Sequence, residues 1–129
     1  MKSVYRSFAL LALPLLLICN NAKAEVDMGT YLNLCRASQD VCKLMFFSTV
    51  DGIKWGVLTN ENYRGETDIK TQQHFFCWDE LSKKSQSALF DEFFNSLNVN
   101  DFSSGTGAQL PLAYAVTASL KAKYPSCKK

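Results

Sequence analysis

Histidine, proline and glycine are scarce here: one, three and six in 129 residues. A single histidine, His74, leaves no site built from several imidazoles. A metal would have to combine it with scattered carboxylates, and no spacing supplies them. No Cys-x-x-Cys is present, which removes thioredoxin-like exchange. No Gly-x-Ser-x-Gly is present, which removes the nucleophile elbow. Ser104–Gly105–Thr106–Gly107 is too short and generic for a phosphate loop. Charge of one sign is scarce as well. Lys2, Arg6 and Lys23 are three of the 14 bases, and no acid precedes Glu25, so residues 25–129 hold 11 bases against 12 acids. Nucleic acid has little reason to approach such a chain, because phosphate neutralisation needs a clustered cationic face. Long apolar runs stop at 12 residues (Phe8–Cys19), short of the roughly 20 that cross a bilayer.

What is present divides at residue 24. Lys2 and Arg6 precede the Phe8–Cys19 run, and Asn20–Ala24 closes with Ala-x-Ala. This layout predicts a secretory signal peptide over 1–24, removed after Ala24. Leu16–Leu17–Ile18–Cys19 offers a rival, a lipoprotein cut before Cys19, but Ile18 is large where a small residue belongs. Residues 25–129 then form one domain, since about 105 residues suffice for one core and not two.

Cys35, Cys42, Cys77 and Cys127 remain in that domain. An even number in a small exported chain reads as two disulfides, with three connectivities to choose from. On one continuous helix Cys35 and Cys42 would stand about 10.5 Å apart, beyond the roughly 7 Å limit for a bridge. A break near Ser38–Gln39–Asp40 weakens that exclusion. The preferred pairing is Cys42–Cys77 with Cys35–Cys127.

Hydrophobic periodicity predicts four helices and no convincing strand, an all-α bundle. Asp27 caps the first, about 28–38. Asp40 caps the second, about 41–59, where Cys42, Phe46, Val50, Ile53 and Val57 form an apolar stripe. Ser48, Gly52 and Gly56 recur every fourth residue on a neighbouring face. Glycine inside a helix costs about 1 kcal/mol, so the pair points to close backbone packing. Another helix of the domain is the favoured neighbour and a second subunit the alternative. Residues 60–76 read as a long polar loop returning to the core at Phe75–Trp78. A third helix, about 82–98, takes Ser82 or Ser85 as its cap. Residues 99–109 form a second loop. A fourth helix, about 110–124, starts at Pro111 and ends before Pro125.

No catalytic set emerges. His74 reads as a surface or structural residue. Asp79–Glu80 and Asp91–Glu92 read as solvated faces, since adjacent acids on a helix diverge. Lys83–Lys84 and Lys128–Lys129 read as solubilising charge, and Trp78 and Phe93–Phe94 as core. The chain therefore reads as a binder without cofactor or metal rather than an enzyme.

Several features together resemble one family. They are Cys35 after a short helix, Cys42 opening a helix with Val50–Asp51–Gly52, Phe76–Cys77 after a polar loop, and a helix containing Gln86. The last is LAYAVTASLKAKYPSC, ending at Cys127. Over nearly all of 25–129 this is similar to the Rap/Tai family of periplasmic immunity proteins for type VI secretion amidases. The resemblance implies a small helical non-enzyme that binds a cognate peptidoglycan amidase and blocks its cleft, protecting the producer and its sisters. Some members are homodimers. The leader reading separately leaves no membrane attachment after cleavage, and the charge balance leaves no nucleic-acid partner.

Two loops are candidates for the contact, 60–74 and 99–109. The second is preferred: Asp101, Phe102, Ser103, Ser104, Gly105 and Thr106 offer an aromatic anchor and hydrogen-bonding groups beside glycines. Two other function classes remain. One is a small helical disulfide-linked periplasmic chaperone or stress protein, for which a lone His gives little of a pH switch near neutrality. The other is a small hydrolase relying on His74.

Overall fold

The computed structural model describes residues 25–65 and 75–127. Residues 1–24, where a leader is expected and Cys19 lies, residues 66–74 with His74, and Lys128–Lys129 lie outside the described residues. What is described is all-α, with four main helices and two disulfides. No strand occurs among these residues, only an isolated bridge between Asp27 and Pro111.

Helix α1 spans Met28–Ala37, and Asp27 Oδ1 accepts the Thr30 N–H at 2.7 Å. That capping bond satisfies one of the donors a helix start leaves open. Ser38 ends α1 with extended backbone, φ −155° and ψ 116°. Helix α2 begins at once, Gln39–Tyr63. It starts two residues earlier than the sequence predicts, because the Ser38 carbonyl and hydroxyl already accept the Cys42 and Val41 N–H groups. It also runs four residues further, into the stretch read as loop. No breaker intervenes before Gly65, whose φ of +82° suits the left-handed position past a helix end.

A single turn, α3 (Trp78–Leu81), buries both its end residues. Helix α4 covers Gln86–Ser96 and is capped by Ser85, whose hydroxyl accepts the Ala88 N–H at 3.1 Å. It is shorter than the predicted 82–98 because α3 and its turn occupy the start. The 99–109 loop is largely ordered into a 3₁₀ turn, Val99–Phe102, and one helical turn, α5, Gly105–Ala108. Helix α6 spans Leu112–Lys123 behind Pro111.

Helix α2 is the axis of the bundle, packed by α1, α4 and α6. Its stripe behaves as its spacing requires, with Cys42, Phe46 and Val50 buried and Ile53 and Val57 half-buried against the core. Phe46 is fully buried, with its ring 5.4 Å from Phe90 edge-on and 5.2 Å from Phe93. Trp78 and Phe93 are core, as expected. Each fully buried side chain of this size contributes roughly 1.5–3 kcal/mol.

The disulfide pairing corrects the preferred one. Cys35 bonds Cys42, with Cα atoms 4.5 Å apart, and Cys77 bonds Cys127, with Cα atoms 4.8 Å apart. The helical rise that separates Cys35 from Cys42 applies only to an unbroken helix. One extended residue, Ser38, folds the chain back and brings the two together.

The expected internal packing of Gly52 and Gly56 is also corrected. A Cβ at either would meet nothing within 4 Å, and both are exposed.

Candidate functional site

The turn carrying Asp101–Thr106 is held at both ends. Asp101 N donates to the Asn98 carbonyl at 3.0 Å, and Asn98 Nδ2 donates to Asp101 Oδ1 at 3.1 Å. Ser103 Oγ donates to the Asn100 carbonyl at 2.9 Å. Gly105 sits at φ +65°, which turns the chain into α5. A Cβ on Gly107 would lie 1.9 Å from the Asp101 carbonyl oxygen, so the two arms touch backbone to backbone. Gly29 of α1 packs less tightly but still closely, with an ideal Cβ 3.1 Å from that of Ala108. Asp101, Ser103, Ser104, Gly105 and Thr106 are exposed, whereas Phe102 is half-buried against the core. Phe102 thus ties the turn inward, and the outward display is one carboxylate, three hydroxyls and a glycine.

The paired cysteines frame this site from a distance. Cys35–Cys42 fixes the α1–α2 corner, and α1 in turn backs α5. Tyr31 OH donates to the Cys42 carbonyl at 3.2 Å, and burial pushes its phenol above the ordinary range. Cys77–Cys127 holds the C-terminal end against α3, beside the Cys77 N–H bond to the Tyr124 carbonyl at 3.2 Å.

Glu61 escapes the sequence reading, which placed it in a polar loop. It is 1% exposed, accepting the Trp78 Nε1–H at 3.1 Å and the Phe75 N–H at 3.2 Å on separate oxygens. Burying a carboxylate requires such donors. Lys121 Nζ donates to the Phe75 carbonyl and stands 4.3 Å from the centre of its ring. Together they fasten the chain where it re-enters the core. The signal was available: Ile53, Val57 and Glu61 continue the α2 stripe at intervals of four.

Glu92 is the other departure. It was read as a solvated acid with its neighbour Asp91. Asp91 is exposed, but Glu92 accepts the Tyr124 hydroxyl at 2.5 Å and pairs with Lys84 at 2.9 Å, with Lys123 3.8 Å away. The Tyr124 hydrogen bond first, then Lys84, lowers its carboxyl pKa. Burial and the Glu92 carboxylate raise that of Tyr124. Asp79 and Glu80 are exposed, as expected.

An open groove of about 720 Å³ runs between α2, the Glu25–Val26 segment ahead of α1 and the start of α6. Val26, Leu44, Met45, Gly52, Ile53 and Leu112 are among its walls. Among the described residues, no three His, Cys, Asp or Glu side chains come together to hold a metal ion. No helix among them is long and apolar enough to cross a membrane. Two disulfides point to an oxidising compartment outside the cytoplasm. Comparison with known protein families, curated proteins and solved structures gives no match.

Proposed function

We propose that this protein is a periplasmic immunity protein. Once exported, it binds a peptidoglycan amidase delivered by type VI secretion and covers the catalytic cleft, so that the producer and its sisters survive. The observation that carries this reading is the Asp101–Thr106 turn. It offers a carboxylate and hydroxyls on a backbone already locked by Gly107, Asn98 and Phe102. A preorganised turn loses little freedom on entering a concave site, which lowers the ordering cost of binding. The resemblance in cysteine arrangement and helix order supports the same reading, as do the disulfides.

The test is co-expression with candidate amidases sent to the periplasm. The wild-type protein restores growth and co-elutes with its amidase on a sizing column. Asp101→Ala combined with Thr106→Ala weakens the complex about tenfold or more, the scale of one or two lost interfacial hydrogen bonds. Absence of both rescue and complex overturns the proposal.

The exposed Leu44 and Trp55 favour a second reading, a helical periplasmic chaperone. Protection of unfolded clients at low pH, without a tight single partner, would establish it.

A further inference from the structure

Most of α2 faces the core, but one stripe of it faces outward along nearly its whole length. Val41, Leu44, Ser48, Gly52, Trp55 and Thr59 recur at intervals of three and four, and all six are exposed. At 3.6 residues per turn they fall within an arc of about 80° and span about 27 Å. None carries a charge, although an exposed helix face normally holds the charged residues. Leu44 and Trp55 are 65% and 71% exposed. Beside the stripe lies the open groove, whose walls Val26, Met45, Ile53 and Leu112 continue the same apolar face toward α6. Contiguous exposed apolar surface of this kind marks a contact site.

The charges that edge this face are of one sign. Asp40 and Asp51 border the stripe on the side away from the groove, and both are exposed. Glu25, exposed as well, stands in the groove wall on the other side. Among the described residues no base lines the groove. The bases of α2 are turned away. Lys43 and Lys54 lie about 120–140° round the helix from Ser48. Both are half-buried, and Lys43 stands 5.8 Å from the centre of the Phe90 ring.

That pattern selects the occupant. We propose that this face receives an amphipathic helix of a partner protein, with its apolar side on Leu44, Trp55 and the groove and basic residues on both flanks. An apolar seam gives such a contact its affinity, and charges along the seam's edges choose the partner. Bases on one flank meet Asp40 and Asp51, and a base on the other meets Glu25. Ser48 and Gly52, small and midway between Leu44 and Trp55, let the partner's backbone approach to about 8 Å between axes. Two other occupants fit the charges badly. A second copy sets acid against acid whichever way it lies: antiparallel, the Asp40–Asp51 edges meet each other, and parallel, they meet the Glu25 edge. A bilayer surface is anionic, and helices that lie on one carry bases beside their apolar face. The inference is independent of the immunity reading, which rests on the Asp101–Thr106 turn.

A synthetic helix tests it. The probe is a peptide of leucine and lysine alone, about 18 residues long to match the stripe, with leucines along one side and lysines flanking them. Its counterpart carries glutamate in place of every lysine. Neither contains tryptophan, and Trp78 is buried at the core, so a blue shift of emission on titrating the exported protein reports Trp55 becoming covered. The lysine peptide binds with that shift, less tightly as salt is raised. The glutamate peptide binds at least about tenfold more weakly, because like charges meet at both edges. Trp55→Ala, read by the anisotropy of a labelled lysine peptide, weakens binding at least about tenfold. Asp51→Asn removes a charge and keeps an oxygen for the Gln86 Nε2 bond, 3.0 Å in the wild type. It weakens binding a few-fold and flattens the salt dependence. Circular dichroism spectra unchanged from wild type confirm that both variants fold. Absence of binding overturns the proposal, as does equal binding of the two peptides or an affinity that ignores Trp55→Ala. A blue shift given by vesicles of phosphatidylglycerol and phosphatidylethanolamine, with no peptide binding, also overturns it and assigns the face to a membrane. A concentration-dependent dimer that excludes the peptide does the same and assigns the face to a second copy.

Discussion

Gly107 shows how much one absent methyl decides. Its α-carbon lies so near the Asp101 carbonyl that a Cβ would overlap the oxygen at 1.9 Å, with backbone on both sides and no flexible side chain to yield. Gly107→Ala is therefore expected to destabilise the protein by about 2 kcal/mol or more, the range of overpacked positions. Urea denaturation of the oxidised protein measures it. Glu92 makes a second prediction, about pH. Its folded-state pKa lies below the ordinary carboxylate value, chiefly through the Tyr124 hydroxyl and then Lys84. A depressed acid contributes stability that is fully present above its unfolded value of about 4.3 and is lost as pH falls through the folded value. Glu92→Gln should thus lower Tm near pH 7, and the gap to wild type should close as the melts are taken down toward strong acid. A gap that stays constant with pH would contradict the assignment. Neither residue was marked by the sequence. Gly107 sat in a generic glycine–serine loop, and the role of Glu92 depends on the α4–α6 pairing.

At the scale of elements, legibility followed locality. The Asp27 cap, the Ser85 cap and the Pro111 start were readable because each acts within three residues of itself. The α2 stripe was readable because burial on one side leaves a period. The disulfide pairing was not, because a single extended residue, Ser38, reverses the geometry that spacing implies. The two glycines of α2 were noticed for their spacing, but spacing carries no information about which neighbour fills it. The same corner yields a prediction about the crosslinks. The Cys35–Cys42 ring is small and the Cys77–Cys127 ring large, with sequence separations of 7 and 50. Chain-entropy arguments give about 2.5 kcal/mol for the first and about 4 kcal/mol for the second. The rings do not overlap, so the two contributions should add. Replacing each pair by serines, singly and together, and measuring denaturant midpoints checks both the order and the additivity.

For the whole molecule, fold class came through composition and periodicity. The candidate turn came through only in part, since its position was readable but its internal bracing was not. Phe102, offered by the sequence as a projecting group, is held against the core, because a large apolar side chain gains more from burial than from display. Among the four described cysteines the crosslinks join neighbours in order, Cys35 with Cys42 and Cys77 with Cys127. A chain threaded through a membrane amino-end first presents its thiols in that same order. An oxidant that couples each newcomer to the thiol just before it therefore reaches the native pattern without mistakes. A molecule exported in that way would mature with no need of an enzyme that reshuffles bonds.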